Sequence, residues 1–258
     1  MNMERFSSSK SGVRIANDFR DNLIIDRYEP LFAGMRASKL KHFRSANSED
    51  AVTWNVFRTL RQIAPMVWLP ELFNTAFAPQ SAAKERDHVE SATVDLWQSV
   101  APPPSLLIEG DEGESEIDVV IETPSLVWFI EAKLGSDISM RTTTRSNRDQ
   151  VLRNIDVGSY YAGTRRFYFS LLISKDDRSP EGLEAVRRYS DLSVLREHLA
   201  GHRPDGLANI AGVSTLRWTD LIEVLTGAAE VASRDDERDY ARRALAWLGE
   251  RGLVSNSP

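Results

Sequence analysis

Apolar positions along this chain recur at two periods, which predict helices in some segments and strands in others. Helical spacing begins after Asn47, the predicted N-cap, with Asp50 at the N3 position, where an acid favours a helix N-terminus. The predicted elements, in chain order, are helices from Asn47 and over 83–99, strands over 105–109, 116–122 and 126–133, a helix over 147–162, a buried strand over 167–174, and helices over 180–200, 219–231 and 235–250, with a strand at 214–218 between the first two of these. This order predicts an α/β protein with a mixed sheet.

The strands over 116–122 and 126–133 flank a Thr-Pro-Ser turn signal, which is typical of a β-hairpin. Charged residues interrupt both strands, and a charge is costly inside an otherwise apolar strand unless a partner offsets it. Glu131 and Lys133 are two residues apart, so their side chains leave the strand on the same face. Asp118 lies on the partner strand, and we expect it to approach this pair.

The composition is that of an ordinary globular protein, with 41% hydrophobic and 27% charged residues among 258. No membrane-spanning apolar run or signal peptide is evident, and cysteine is absent, which excludes disulfides and thiolate metal sites. We therefore expect a cytoplasmic protein with no membrane partner. The net charge of −6 argues against a general nucleic-acid binder, but the charged residues of 109–122 are all acidic, whereas 137–178 has a basic excess. This contrast suits a metal-dependent enzyme acting on a polyanion, but charge runs by themselves favour the interpretation of two solvated surfaces of opposite sign.

The charged residues of the hairpin suit metal-dependent phosphodiester hydrolysis, which needs a metal ion, an oriented or deprotonated water and a stabilised leaving oxygen. Asp118 and Glu131 offer the oxygen ligands that Mg²⁺ or Mn²⁺ prefers, and the small side chain of Ala132 leaves its backbone carbonyl approachable as a further ligand. Lys133 is a candidate to orient or activate the attacking water. Glu49, on the first predicted helix, is a candidate to complete the acid cluster.

This arrangement resembles the PD-(D/E)XK nuclease superfamily, whose signature is an acid at the end of one strand, followed by an acid, any residue and a lysine on the next. Asp118 and Glu131-Ala132-Lys133 match that signature, with Ile117 at the position where the motif has a proline. The family core, in the order helix–strand–strand–strand–helix–strand, matches the predicted order over about half of the chain.

The resemblance implies a restriction-endonuclease-like αβββαβ core, built on a central mixed sheet, over residues 45–178. Residues 1–44 would then be a partly disordered N-terminal extension, and residues 179–258 a C-terminal helical region with one further strand, packed on the core. The resemblance also implies that Glu49 supports the metal site. Gln150, on the helix after the lysine strand, would orient water or a phosphate.

For function, the resemblance implies a Mg²⁺- or Mn²⁺-dependent hydrolase that cleaves DNA phosphodiester bonds in prokaryotic defence, restriction or repair. The expected partner is nucleic acid, with RNA and either strandedness left open, and a homodimer is compatible with such a nuclease. Basic residues expected to hold the nucleic-acid backbone follow the lysine strand: Arg141, Arg145, Arg148 and Arg153.

The acid that meets Glu131 is not unique in the sequence. Glu116 and Glu122 share a strand face with Asp118, so either is a rival metal ligand if the strand register slips. Glu131 and Lys133 are also explained, by themselves, as an ion pair at a strand end.

The alternative function is a catalytically inactive protein of nuclease fold that acts as a nucleic-acid-binding or protein-interaction module. In that case Glu49 is a first-turn acid that interacts with the helix dipole. His198 and His202 have the spacing of a helical metal pair but lack an evident third ligand, and we interpret them as surface histidines.

Overall fold

The computed structural model describes residues 5–77, 88–108, 112–142, 148–203 and 207–253. The chain divides into two compact units, one formed by residues 1–68 with 221–258 and the other by residues 69–220. The first unit thus combines both ends of the chain, which the sequence analysis treats as separate additions.

The described part of the chain contains both helices and strands. The strands are β1 (Phe6–Ser8), β2 (Arg14–Ala16), β3 (Thr93–Val100), β4 (Ser115–Glu122), β5 (Leu126–Ala132), β6 (Arg166–Ile173) and β7 (Ile210–Arg217). The α-helices are α1 (Leu31–Gly34), α2 (Ala37–Phe43), α3 (Glu49–Leu60), α4 (Pro65–Ala76), α5 (Pro104–Ile108), α6 (Gln150–Ala162), α7 (Pro180–Tyr189), α8 (Leu192–Leu199), α9 (Trp218–Val231) and α10 (Asp235–Gly249). The single helix predicted over 180–200 is therefore two helices, α7 and α8.

The first unit contains a small hairpin in the N-terminal extension, where disorder was predicted for part of the segment. Strands β1 and β2 pair antiparallel. Gly12 adopts a φ of 81°, which favours glycine, and thereby allows the tight turn between them. Across the hairpin the guanidinium of Arg14 lies over the ring of Phe6, 3.6 Å from its centroid. Phe6–Ser8 form a strand in this segment, residues 1–4 lie outside the described residues, and the partial disorder of residues 1–44 stays a prediction.

Helix α3 begins one residue later than the sequence pattern indicates. The hydroxyl oxygen of Ser48, rather than the side chain of Asn47, accepts the N–H of Ala51 at 3.1 Å. Ser48 is therefore the N-cap, and Asp50 lies at the second helical position. A serine hydroxyl and an asparagine amide cap helices about equally well, so neighbouring candidates cannot be ranked from sequence.

The second unit is built on a five-stranded mixed sheet in the order β3-β4-β5-β6-β7. Strands β3, β4 and β5 are antiparallel neighbours, whereas β5, β6 and β7 run parallel. An α/β fold with a mixed sheet is therefore confirmed. No helix in the described part of the chain combines the length and the apolar character that a membrane crossing requires.

Two predicted elements before the hairpin are wrong. Residues 93–99, predicted as the end of a helix, belong to β3, and residues 105–108, predicted as a strand, belong to α5. Exposed and buried positions alternate at the start of β3, which is the period of a strand. Pro104 begins α5, and proline is favoured at the first position of a helix. Residues 83–87 of the predicted helix lie outside the described residues.

Helix α6 packs against one face of the sheet at unusually close range. A Cβ atom added at Gly158 would lie 2.2 Å from the ring of Phe167 and 2.8 Å from that of Phe129. Val151 and Ile155 of the same helix are fully buried in this layer. The absence of a side chain at Gly158 therefore sets how closely α6 approaches β5 and β6.

Replacing Gly158 with alanine is expected to lower the free energy of unfolding by about 1–3 kcal/mol, because the new methyl group forces ring displacement in a packed core. Alanine's higher helix propensity, worth about 1 kcal/mol, offsets only part of this cost. Gly249→Ala is the matched control, since no neighbouring atom lies within 4 Å of its added Cβ. Urea unfolding of both variants measures the difference. Wild-type stability of Gly158→Ala would contradict the close packing.

The opposite face of the sheet is covered by an aromatic cluster. Phe73 and Phe77 lie 4.8–5.5 Å, between ring centroids, from Trp128 of β5 and Tyr168 of β6. The indole N–H of Trp128 donates to the hydroxyl of Ser170 at 2.9 Å. Trp128 is fully buried. With both faces covered, polar groups reach solvent mainly at the strand ends.

Candidate active site

The register of β4 and β5 selects Asp118 from the three acids of its strand. Val119 pairs with Ile130 in this antiparallel pair. The residue before Val119 on β4, Asp118, therefore lies across from the residue after Ile130 on β5, Glu131. The Asp118 carboxylate oxygen Oδ2 accepts the backbone N–H of Ala132 at 2.9 Å. Asp118 is therefore fastened to the segment that carries the glutamate and the lysine.

The rival acids lie elsewhere on β4. Glu122 is at the turn end of the hairpin, about 13 Å along the strand from Asp118. Its carboxylate accepts the hydroxyl of Tyr161 at 2.7 Å and pairs with Arg165. Glu116 is exposed and lies across from Ser99 of β3. Neither rival occupies the place of Asp118 beside Ala132.

The Glu131 carboxylate is almost completely buried, with 2% of its surface exposed, and three side chains donate to it. Lys133 Nζ and Gln150 Nε2 each lie 2.6 Å from oxygen Oε1. Asn154 Nδ2 donates to the other oxygen, Oε2, at 2.8 Å. Lys133 and Gln150 are both residues that the sequence proposed for the site, in roles that stay predictions, whereas Asn154 is an addition from the structure.

Helix α6 supplies two of these donors because of where it begins. The Asp149 carboxylate caps the helix by accepting the N–H of Leu152 at 2.8 Å, so Gln150 is the first helical residue. Asn154 follows four residues later, one turn along, and therefore lies on the same face. That i, i+4 pair of amides is the sequence signal by which Asn154 could have been found.

Gln150 also fixes the segment that follows the lysine. Its side-chain oxygen Oε1 accepts the N–H of Ser139 at 3.1 Å, and its own backbone N–H donates to the carbonyl of Ser139 at 2.9 Å. A single amide thus joins Glu131 to the chain beyond β5. This double contact sets both the rotamer of Gln150 and the course of residues 134–142.

Burial raises the pKa of Glu131 to about 8, with a further increase from the neighbouring Asp118 carboxylate. The ammonium of Lys133 and the amide of Asn154 act in the opposite direction but only partly offset these effects. Two acids of a metal site are expected to show this mutual effect, since adjacent carboxylates resist simultaneous ionisation without a cation.

Metal-free protein is expected to lose stability as the pH rises from about 4.5 to about 8. Within that window folded Glu131 keeps a proton that the unfolded chain has released, so its stabilising contribution is complete below the unfolded pKa and is lost as the pH rises through the folded pKa. Glu131→Gln should make the melting temperature less dependent on pH over this window, and it should raise the melting temperature at pH 8 relative to wild type. Thermal melts in chelator from pH 5 to 8.5 measure it, and parallel profiles for the two proteins would contradict the raised pKa.

Backbone strain lies directly beside Asp118. The pairing of β3 with β4 includes Leu96 with Val119 and Gln98 with Ile117 but skips the intervening pair, Trp97 and Asp118. Trp97 adopts a φ of 52°, a left-handed conformation that a bulky residue adopts only at a cost. Strained residues of this kind cluster at active sites and ligand clamps. The ladder is therefore interrupted where the candidate site requires a carboxylate.

The residues at this site fit a hard divalent cation. Mg²⁺ usually takes only one or two carboxylates from a protein and keeps several waters. An ionised carboxylate has about four acceptor positions, and the three donors to Glu131 leave room for a cation at Oε2. Within the described ranges no group of three or more His, Cys, Asp or Glu side chains is arranged to hold a metal. The ligand set would therefore be Asp118 and Glu131 with the carbonyl of Ala132 and water.

The arginines predicted to contact nucleic acid have different positions. Arg141 is exposed, and Arg145 lies outside the described residues. Arg148 is buried, and Arg153 donates to the backbone carbonyl oxygen of Gly113 at 2.9 Å. Arg148 and Arg153 thus contact groups of the protein itself, and the part predicted for these arginines in holding nucleic acid stays a prediction.

Arg148 belongs to a charged cluster around Asp156 of α6, formed by Glu112, Arg148, Asp156, His202 and Arg203. Asp156 is fully buried and accepts from Arg148 at 2.6 Å, from His202 at 2.7 Å and from Arg203 at 3.0 Å. Glu112 lies 2.7 Å from Arg148. The interpretation of His202 as a surface histidine is wrong, because its imidazole contacts a buried carboxylate. His198 is exposed, as predicted.

Burial by itself raises the pKa of both acids of this cluster. For Glu112 that effect prevails over the nearby arginines, and its pKa is raised. For Asp156 the hydrogen bond from His202 and the charge of Arg148 outweigh burial, and its pKa is lowered. Asp156 is therefore the anion on which the surrounding cations converge.

Glu49 is the first residue of α3 and belongs to the other compact unit. Its predicted part in the metal site stays a prediction.

Comparison with known proteins does not identify a family for this chain. No protein-family model, no curated protein and no solved structure gives a significant match. The function must therefore be argued from the chain's own residues.

Proposed function

We propose that this protein is a metal-dependent nuclease that hydrolyses phosphodiester bonds, with DNA as the expected substrate. The observation that carries the proposal is the convergence of Asp118 with Glu131 and Lys133 at the end of β5. The Asp118 carboxylate accepts the Ala132 N–H, and the Lys133 ammonium lies 2.6 Å from Glu131. An acid from one strand thereby meets an acid and a lysine from the next, as in the PD-(D/E)XK signature.

The order of elements in the second unit supports the same proposal. Helix α4, which enters this unit at Leu69, precedes the antiparallel strands β3, β4 and β5, and helix α6 then leads to the parallel strand β6. Apart from the short helix α5 between β3 and β4, this order is similar to the αβββαβ order that the resemblance implies. The candidate site lies on the face covered by α6, which also contributes Gln150 and Asn154.

Each residue has a distinct part in the proposed reaction. A divalent cation held by Asp118 and Glu131 would neutralise charge developing on the scissile phosphate and lower the pKa of a bound water. Lys133 carries three donor hydrogens, so its contact with Glu131 is compatible with a second contact to the attacking water. Gln150 and Asn154 hold the Glu131 carboxylate in one orientation, which limits the rearrangement required during the reaction.

The test is cleavage of supercoiled plasmid, linear duplex and single-stranded DNA and of RNA, with Mg²⁺ or Mn²⁺ and with chelator. We expect metal-dependent cleavage of at least one substrate by wild-type protein. Glu131→Ala and Asp118→Asn should be inactive, and Glu116→Gln is the control from the same strand that should remain active. No cleavage of any substrate, or full activity of Glu131→Ala, would refute the proposal.

The alternative is a nuclease-fold module that binds nucleic acid or protein without turnover. The dense donor set around Glu131 favours it, because Lys133, Gln150 and Asn154 already hold the carboxylate without a metal. Calorimetric titration with Mn²⁺ separates the two functions. Binding that is lost in Asp118→Asn and in Glu131→Gln supports the nuclease, whereas equal heats for wild type and both variants support the inactive module.

A further inference from the structure

A cavity of about 250 Å³ lies beside the candidate active site, next to the start of α6. Its lining includes Asp149, the residue immediately before Gln150, and Met140, the residue immediately after Ser139. Gln150 binds both Glu131 and Ser139. From Asp149, one peptide unit and one hydrogen bond therefore lead to the carboxylate proposed to bind the metal, and from Met140 one peptide unit and two hydrogen bonds do.

Met140 is 46% exposed although its chain segment is firmly held. On one side of it Ser139 exchanges two hydrogen bonds with Gln150. Earlier in the segment the Asp137 carboxylate accepts the N–H groups of Glu181 at 2.9 Å and Gly182 at 3.0 Å, which fastens it to the first turn of α7. The side chain of Met140 is therefore presented to solvent by a backbone that is held in place, and a methionine thioether suits contact with an apolar or aromatic ligand face.

The remaining lining residues are apolar at the base and charged at the rim. Pro180 and Ala185 of α7 add to the apolar surface of Met140. Glu181 and Glu184 contribute carboxylates, and Glu184 also pairs with Arg187 and lies 3.8 Å from Arg188. Among the described lining residues the acids Asp149, Glu181 and Glu184 outnumber the base Arg188, which favours a neutral group over a phosphate.

The chemistry of the cavity selects one part of a nucleic acid. A nucleobase is neutral and planar, so its face suits Met140 and the neighbouring apolar surface. Carboxylates accept hydrogen bonds from exocyclic amino groups, as an acidic residue does from the N4 amino group of cytosine. Ligand pockets for whole small molecules measure about 300–1,000 Å³, so a smaller cavity suits a single base.

We infer that this cavity is a subsite for one unstacked nucleobase that carries an exocyclic amino group, adjacent to the phosphodiester bond to be cut. The inference rests on the proposed nuclease function for its substrate. Proteins that read single-stranded nucleic acid splay bases out, pack their faces against side chains and hydrogen-bond their edges. Met140 supplies the face contact, and Glu181 and Glu184 supply the edge contacts.

Direct binding tests the subsite without cleavage. Fluorescence anisotropy in chelator compares labelled oligo-dC and oligo-dA with oligo-dT, which has no exocyclic amino group. Wild-type protein should bind the amino-bearing strands about tenfold more tightly, which corresponds to about 1.4 kcal/mol. The double variant Glu181→Ala/Glu184→Ala should bind all three strands equally. Met140→Ala should weaken binding to all three, by about tenfold, through loss of the face contact.

The control variant is Glu197→Ala, which removes an exposed acid of α8 that does not line the cavity and should leave every affinity unchanged. Equal wild-type affinity for oligo-dC, oligo-dA and oligo-dT, or wild-type binding by Met140→Ala, would overturn the subsite even if the protein cleaves DNA. The expected preference without cleavage in Mg²⁺ or Mn²⁺ would support the subsite and refute the nuclease function. With cleavage, Met140→Ala should raise KM and leave kcat nearly unchanged.

Discussion

Replacing Lys133 with methionine is expected to lower the rate of metal-dependent cleavage by about 10²–10⁴-fold, the usual contribution of a positioned proton-transfer group. Methionine keeps a side chain of similar length but removes the ammonium that lies 2.6 Å from Glu131. The backbone should not move, because the Lys133 N–H donates to the Leu172 carbonyl at 2.7 Å and its carbonyl accepts from the Trp218 indole at 3.2 Å. The effect therefore reports on the ammonium.

Lys175→Met is the matched control for this prediction. Lys175 follows the end of β6 much as Lys133 follows the end of the adjacent strand β5, but its side chain is exposed. Single-turnover cleavage at saturating Mn²⁺ measures the chemical step in both variants. If Lys133→Met cleaves at the wild-type rate, the lysine is an ion-pair partner of Glu131 and has no part in catalysis.

Local pattern predicted the centre of the site because its residues lie on neighbouring strands. The hairpin brings Asp118 and Glu131 together through a register that alternation alone could indicate. The strand carries three acids, and the length of the turn decides which of them lies opposite Glu131. A shift of two residues in the pairing of β4 with β5 would have placed Glu116 there instead of Asp118. The structure resolves this through a single hydrogen bond, from the Ala132 N–H to Asp118.

Partners from distant segments could not be predicted in the same way. The sequence predicted that Arg148 and Arg153 contact nucleic acid. Periodicity indicates which face of a helix is apolar, but it does not indicate which charged side chains a distant segment will cover. Arg203 and His202, more than 40 residues beyond Asp156, close over α6 and bury that charge. The strand β3 was missed for a related reason: Trp97 interrupts its alternation with a left-handed conformation.

The buried cluster has a structural consequence for the site, because α6 carries both Asp156 and the two amides that bind Glu131. Asp149, the N-cap of α6, also accepts a hydrogen bond from the Tyr189 hydroxyl of α7 at 2.7 Å. Cations that converge on Asp156 and a cap held by Tyr189 together determine where α6 begins and how it is rotated. Loss of the cluster should therefore loosen the helix that orients Gln150 and Asn154.

Asp156→Asn is accordingly expected to lower the free energy of unfolding by about 3–5 kcal/mol, the usual cost of leaving buried charges without their counterion. The substitution keeps the size of the side chain but removes its negative charge. Among the described contacts, Asp156 is the only carboxylate that pairs with both Arg148 and Arg203. Asp176→Asn is the control, since it breaks an exposed contact with Arg217 at 2.9 Å that should be worth less than about 1 kcal/mol.

Urea unfolding at neutral pH measures both variants, and an acid series adds a second readout. Because the folded pKa of Asp156 is lowered, its stabilising contribution is complete above the unfolded pKa and is lost as the pH falls through the folded pKa. The difference in free energy of unfolding between wild type and Asp156→Asn should therefore decrease as the pH falls. The corresponding difference for Asp176→Asn should stay small at every pH. Equal small losses for the two variants would mean that the cluster is solvated in solution, and the cluster could then not be what holds α6 above Glu131.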